Sequence, residues 1–224
     1  MKDGLFEEFF EGGQLMQRGH YKKGEKEGLW EGFNKNGTLS YRCYYKKGKL
    51  EGPSEEYDQG KIESRYIYKD GKIEVKDRFL YPTDQLFYRE VYKDGNLELE
   101  EEYSEEGPIE SRHTYKDGKR KLVEYFDGPV IGQLSSRTFY KDGNLEVEEE
   151  YHEEGPIKSR STYKDGKRKL VEHFDDQVED LLFSRSIYKD GNLEVQEEYY
   201  EDGAIKSRST YKDGNKTVEH FDEE

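Results

Sequence analysis

The chain has 224 residues, 40% of them charged, and its 52 Asp and Glu against 37 Lys and Arg leave a net charge of −15. Leu, Ile, Val and Phe together make up just under a fifth of the residues, which excludes a thick hydrophobic core. The acidity argues against direct nucleic-acid binding or an anionic-lipid partner, both of which need a basic face.

Disorder would fit this charge, but 20 Tyr argue for order. A Tyr ring buries area while its hydroxyl stays wet, which suits a thin layer. Residues 1–20 hold no apolar run suited to a signal peptide, and no span of about 18 apolar residues occurs anywhere, so membrane insertion is not expected. The single Cys43 rules out an intramolecular disulfide. A cytoplasmic location is expected, although a chain trimmed of a leader would read the same.

The first tetrapeptide of the form Tyr-Lys-(Lys/Asp)-Gly starts at Tyr21. Others start at Tyr45, Tyr68, Tyr92, Tyr115, Tyr140, Tyr163, Tyr188 and Tyr211, at steps of 23–25 residues. Between them lies a second aromatic before a turn, as in Phe33 before Asn36-Gly37, Tyr57 before Gln59-Gly60, and Tyr103 before Glu106-Gly107. A fixed period of this length means stacked supersecondary units. Asp-Gly flanked by alternating residues is a strong signal for a two-residue hairpin. The expected fold is all-β: an elongated single-layer antiparallel β-meander of about nine tandem hairpin repeats, with about 18 strands. Residues 1–224 read as a single repeat domain. A 48-residue super-repeat is laid over the hairpins at 92–139, 140–187 and 188–224; recent tandem duplication explains it without any functional demand.

Two-residue turns predict which side chains share a face. From the Asp142-Gly143 turn, Tyr140 lies opposite Leu145, Thr138 opposite Val147, and Tyr151 opposite Ile157. One face would then hold Tyr140, Leu145, Val147, Tyr151, Ile157 and Tyr163. The other would hold Glu146, Glu148 and Glu150 beside Arg137, Lys158 and Arg160, with Glu148 flanked by Arg137 and Arg160. Such pairs set register more than they create stability.

No chemistry-bearing motif emerges. The histidines form no H-E-x-x-H pair, the acidic turns lack a calcium-loop pattern, and phosphate-binding and nucleophile-elbow signatures are missing. No catalytic, cofactor-binding or metal-binding residue is expected, and the chain does not read as an enzyme.

Residues 19–71 resemble MORN repeats, and more narrowly the bacterial variant found in YwqK-type toxin–antitoxin system antitoxins. The pattern is Tyr-x-x-Gly, then Gly28 or Gly52, then Trp30, then Phe33 or Tyr57, then a turn and Ile or Leu. Residues 1–67 keep this pattern. In residues 68–224 the glycine position is expected to be taken by Val75, Leu99, Leu122, Val147, Leu170, Val195 and Val218, filling space that glycine would leave for a bend or a close backbone. The resemblance implies an interaction module without catalytic residues. It points to an antitoxin- or immunity-like inhibitor binding another protein, such as a basic toxin or nucleic-acid-directed enzyme. A structural scaffold or cell-surface interaction module is the alternative. The candidate partner-binding residues are Trp30, Phe33, Tyr45, Tyr57 and Tyr68. For Trp30, the only tryptophan, a binding hot spot and a core ring both remain open.

Overall fold

Every Tyr-Lys-(Lys/Asp)-Gly tetrapeptide closes a two-residue hairpin. Its third residue has positive φ, from 50° at Asp213 to 54° at Asp165, and the glycine that follows is also left-handed. Two consecutive positive-φ residues define a type I′ turn, whose twist matches that of the strands it joins. The computed structural model describes residues 2–127, 132–153, 155–178 and 180–222.

The structure is all-β, and its strands group into two compact units. The first is Met1–Ile109 with Lys116–Gly118. It holds β1 (Gly4–Phe9), β2 (Leu15–Lys22), β3 (Glu25–Phe33), β4 (Leu39–Lys46), β5 (Lys49–Asp58), β6 (Lys61–Lys69), β7 (Lys72–Leu80), β8 (Gln85–Lys93) and β9 (Asn96–Tyr103). The second is Glu110–Tyr115 with Lys119–Glu224. It holds most of β10 (Ile109–Lys116), then β11 (Lys119–Tyr125), β12 (Ser136–Lys141), β13 (Asn144–Tyr151), β14 (Ile157–Lys164), β15 (Lys167–Phe174), β16 (Leu182–Lys189), β17 (Asn192–Tyr199), β18 (Ile205–Lys212) and β19 (Asn215–His220). From β1 to β9, and again from β11 to β19, each strand pairs antiparallel with its neighbours in the chain. The described strands number nineteen rather than 18, because β1 precedes the first of the nine Tyr-Lys hairpins.

The expected faces need correcting, and β-bulges are the reason. Tyr140 does pair with Leu145 and Tyr151 with Ile157, but Phe139, not Thr138, pairs with Val147. Glu146 is left as an extra residue, and each such bulge slips the register by one. The same step recurs at Glu74, Glu98 and Glu194. Thus Tyr140, Leu145 and Tyr163 share one face, while Val147, Tyr151 and Ile157 share the other. The acid between Arg137 and Arg160 is Glu149, not Glu148.

The glycine argument also changes. Gly28 has φ +71° and Gly52 φ +80°, and a Cβ added at either would meet nothing within 4 Å. They serve the backbone angle, which L-residues with a Cβ adopt at a cost, and not close packing. The glycines that do make room are Gly19 and Gly32, where a Cβ would fall within the rings of Trp30 and Tyr41.

The dry interior is small. Among the described residues the buried apolar side chains are Trp30, Cys43, Val123 and Val171, whereas Glu55, Asp77, Glu101, Glu124, Glu149 and Glu197 are buried acids. A buried carboxylate needs charged hydrogen-bond partners, and these define the main feature of the molecule.

Candidate functional site

Following cross-strand neighbours in the first unit gives the row Glu7, Arg18, Glu31, Arg42, Glu55, Arg65, Asp77, Arg89, Glu101, one residue from each strand. In the second unit, Glu124, Arg137, Glu149, Arg160, Glu172, Arg185, Glu197, Arg208 and Glu219 continue in the same way. Arg112 on β10 reaches Glu124 at 3.7 Å. Acid and arginine alternate without a break inside each unit, and the cation is never lysine.

Two features favour arginine. Its fork of donors can serve a carboxylate from the neighbouring strand, as where Arg89 gives Asp77 two bonds of 2.7 and 3.1 Å. Its flat face also stacks on an aromatic ring two residues beyond the acid on the following strand. The guanidinium of Arg18 lies 5.6 Å from the Phe33 centroid, Arg65 5.3 Å from Phe79, Arg137 5.7 Å from Tyr151, and Arg185 5.8 Å from Tyr199. Where that ring is tyrosine, its hydroxyl donates back to the acid: Tyr57 to Glu55 at 2.7 Å, Tyr151 to Glu149 at 2.8 Å and Tyr199 to Glu197 at 2.8 Å.

Burial pushes the Glu55 carboxyl up, but hydrogen bonds from Arg42, Tyr57 and Arg65 outweigh it and hold the group below its ordinary range. Glu197 behaves likewise, with burial opposed by Tyr199, Arg185 and Arg208. Burial and then the neighbouring carboxylate push Tyr57 and Tyr199 up to about 12. These acids are locked as anions at neutral pH, which suits a structural ladder and not proton transfer. Among the described residues no group of three His, Cys, Asp or Glu is placed to hold a metal ion. No helix there is long and apolar enough to cross a membrane.

The other face carries the Tyr-Lys tyrosines and, at the N-terminal end, an aromatic box. Trp30 is 1% exposed and packs against Phe6, Tyr21 and Tyr45 at centroid distances of 5.6, 5.2 and 6.1 Å. Its indole N–H donates to the His20 carbonyl at 3.2 Å, and the Lys26 ammonium lies 4.0 Å over its ring.

The five candidate residues are therefore divided between faces. Trp30 sits in the box with Tyr45 and offers no surface, because its neighbours and Lys26 enclose it. Tyr68 lies on the same face, 6.1 Å from Tyr66. Phe33 and Tyr57 flank the ladder on the opposite face, each stacked by an arginine and half-buried. Sequence reasoning passed over Leu29 and Tyr44, which pair across β3 and β4 and are 39% and 41% exposed on the ladder face. It also passed over the ladder itself, although each Tyr-Lys tyrosine has an Arg three residues before it and each ladder acid has Phe or Tyr two residues after it.

Four segments, residues 2–23, 26–47, 133–153 and 195–213, match the MORN repeat variant family. Repeats of this kind are known as protein- and membrane-interaction modules, and their all-β fold is typically non-catalytic. A comparison with curated proteins finds no match. Among solved structures, the chain is similar to part of accessory secretory protein 1, 2 and 3 of Streptococcus pneumoniae, with 24% identity over 53% of this chain and a TM-score of 0.32. It is also similar to part of a TcdB2-TccC3-TEV structure, with 12% identity over 96% of this chain and a TM-score of 0.24. The aligned parts span 19% and 14% of those chains.

Proposed function

We propose that this chain is a non-enzymatic protein-binding module that acts as an antitoxin- or immunity-like inhibitor of a basic partner, such as a nucleic-acid-directed enzyme. The observation that carries the binding reading is the Leu29–Tyr44 pair. At the matching ladder-face positions the later strands hold half-buried pairs such as Val75–Val91, Leu122–Phe139 and Leu170–Ile187. At β3–β4 the pair is large, apolar and exposed, and the ladder does not need it. Phe33 and Tyr57 lie on the same face, across the Glu31–Arg42–Glu55 row from it. A net charge of −15 supports a basic partner, since complementary fields speed encounter.

The test is a photo-crosslinking residue at position 44, used in the native host to capture the partner, which is then purified. Leu29→Asp with Tyr44→Asp is expected to weaken binding at least tenfold with an unchanged β-sheet circular dichroism spectrum. The intact chain should suppress the partner's activity. Unchanged affinity in the double variant overturns the site, and binding without suppression overturns the inhibitor reading.

A further inference from the structure

We infer that the Leu29–Tyr44 surface, taken as the binding site proposed above, receives an amphipathic helix that carries Asp or Glu along both edges of its apolar stripe. The local charge is opposite to that of the whole chain. Residues 15–50 hold nine Lys and Arg against three Glu, a net of +6 in a molecule of −15. The field of the whole chain draws a basic partner from a distance, but at contact the charges within a Debye length of ~8–10 Å decide. Those around Leu29 and Tyr44 are cationic.

The glycine bulges leave two of these cations without an acid. Lys69, Lys141 and Lys189 each end a strand and meet the bulge acid of their own hairpin, Glu74, Glu146 and Glu194, at 3.8 Å. The matching acids for Lys22 and Lys46 are Glu27 and Glu51. With left-handed Gly28 and Gly52 behind them, these two turn instead to the following hairpin. Glu27 accepts from the Lys47 amide and Glu51 from the Asp70 amide, both at 2.8 Å. Main-chain bonds from Gly48 to the Lys26 carbonyl and from Gly71 to the Leu50 carbonyl, at 3.0 and 2.9 Å, hold that arrangement. Lys22 and Lys46 are exposed, and among the described residues neither makes an ion pair.

The strands set the shape of what fits. Arg42, Tyr44 and Lys46 alternate along β4, so Tyr44 lies between a ladder arginine and an unpaired lysine. Leu29 is opposite Tyr44 on β3, and exposed Pro53 lies two residues before Glu55 on β5. The apolar stripe therefore crosses the strands, one residue per strand at about 4.8 Å, close to the ~5.4 Å pitch of a helix. The two cations on β4 are four residues apart, about 13 Å, which admits a helix of ~10–12 Å between them. On the ladder side the acids are enclosed and the arginines are not: the Glu31 and Glu55 side chains are 18% and 6% exposed, those of Arg18 and Arg42 49% and 48%. These guanidiniums meet the acids on one edge of the helix, and Lys22 and Lys46 meet those on the other. A narrow stripe between two cation rows fits a rod better than the plane of a bilayer, and a nucleic acid has no apolar face to lay on it.

The probe is a fluorescent helical peptide of three Leu-Ala-Ala-Leu-Glu-Ala-Glu repeats, titrated against the full chain by anisotropy. Saturable binding is expected, at least tenfold weaker when the peptide Glu are replaced by Lys. Lys22→Glu with Lys46→Glu should weaken the acidic peptide at least tenfold with an unchanged circular dichroism spectrum, because both side chains are exposed and unpaired. The matching change in the second unit, Lys141→Glu with Lys189→Glu, should leave binding as it was. The inference is overturned by no saturable binding up to millimolar peptide, by equal binding of the Glu and Lys peptides, or by a loss that follows the second-unit pair instead. Tighter binding of a single-stranded oligonucleotide or of phosphatidylserine vesicles than of the peptide also overturns it. A partner captured through position 44 that loses affinity with Leu29→Asp and Tyr44→Asp, but not with Lys22→Glu and Lys46→Glu, would overturn the acidic helix and keep the site.

Discussion

Replacing Glu197 by Ala removes the acceptor at the most fully enclosed point of the ladder. Glu197 is 3% exposed. Its carboxylate accepts from Arg185 at 2.6 and 2.9 Å, from Arg208 at 2.9 Å and from the Tyr199 hydroxyl at 2.8 Å. Hydrogen bonds to a charged group are worth roughly 1.5–3 kcal/mol each, and breaking a fully buried ion pair costs about 3–5 kcal/mol. Arg185 and Arg208 are more than a third exposed, so water would recover part of that loss. The expected net cost is about 2–3 kcal/mol, confined to β16–β18 because a repeat protein is stabilised by local and nearest-neighbour terms. Glu194 is the control. It lies 3.8 Å from the Lys189 ammonium at an exposed bulge, so Glu194→Ala should cost no more than about 0.5 kcal/mol. Hydrogen exchange followed by mass spectrometry reads this locally: amides of β16–β18 should lose protection by about 30–150-fold in Glu197→Ala. Matching protection in the two variants would refute the claim that the acid–arginine ladder holds the sheet together.

Trp30→Ala should cost about 3–5 kcal/mol, through loss of an enclosed ring and its hydrogen bond to His20. A melting temperature within a degree of the parent would contradict its assignment to the core. Stability should also fall at both ends of the pH scale. Glu55 and Glu197 have folded pKa values below the ordinary one, so their contribution is present above the unfolded carboxylate range and is lost as pH falls through the folded values. Tyr57 and Tyr199 are raised from 10.0 to about 12, so theirs is present below pH 10 and lost as pH rises toward about 12. Thermal midpoints measured across pH should flatten on the alkaline side in Tyr57→Phe with Tyr199→Phe. Phenolate absorbance titrating near 10 in the folded chain for those two residues would rule the alkaline part out.

The sequence by itself determined the hairpins. Positive φ at Asp-Gly and Lys-Gly is a local property of those residues, so the nine turns, the antiparallel pairing and the pair Tyr140–Leu145 beside its turn were all legible. The two ends of the Arg–acid row were legible too, in the fixed spacings Arg-x-x-Tyr and Asp/Glu-x-Phe/Tyr. Which residues share a face was decided by the tertiary structure alone. One bulged residue such as Glu146 exchanges the faces of everything beyond it, and an alternating pattern of charged and apolar residues reads equally well in either register. Only the closed hydrogen bonds of Glu149 to Arg160 and Tyr151 distinguish the two. The same holds for Trp30: its composition suits a binding surface or a core, and its enclosure depends on Phe6, Tyr21 and Tyr45 arriving from three other strands.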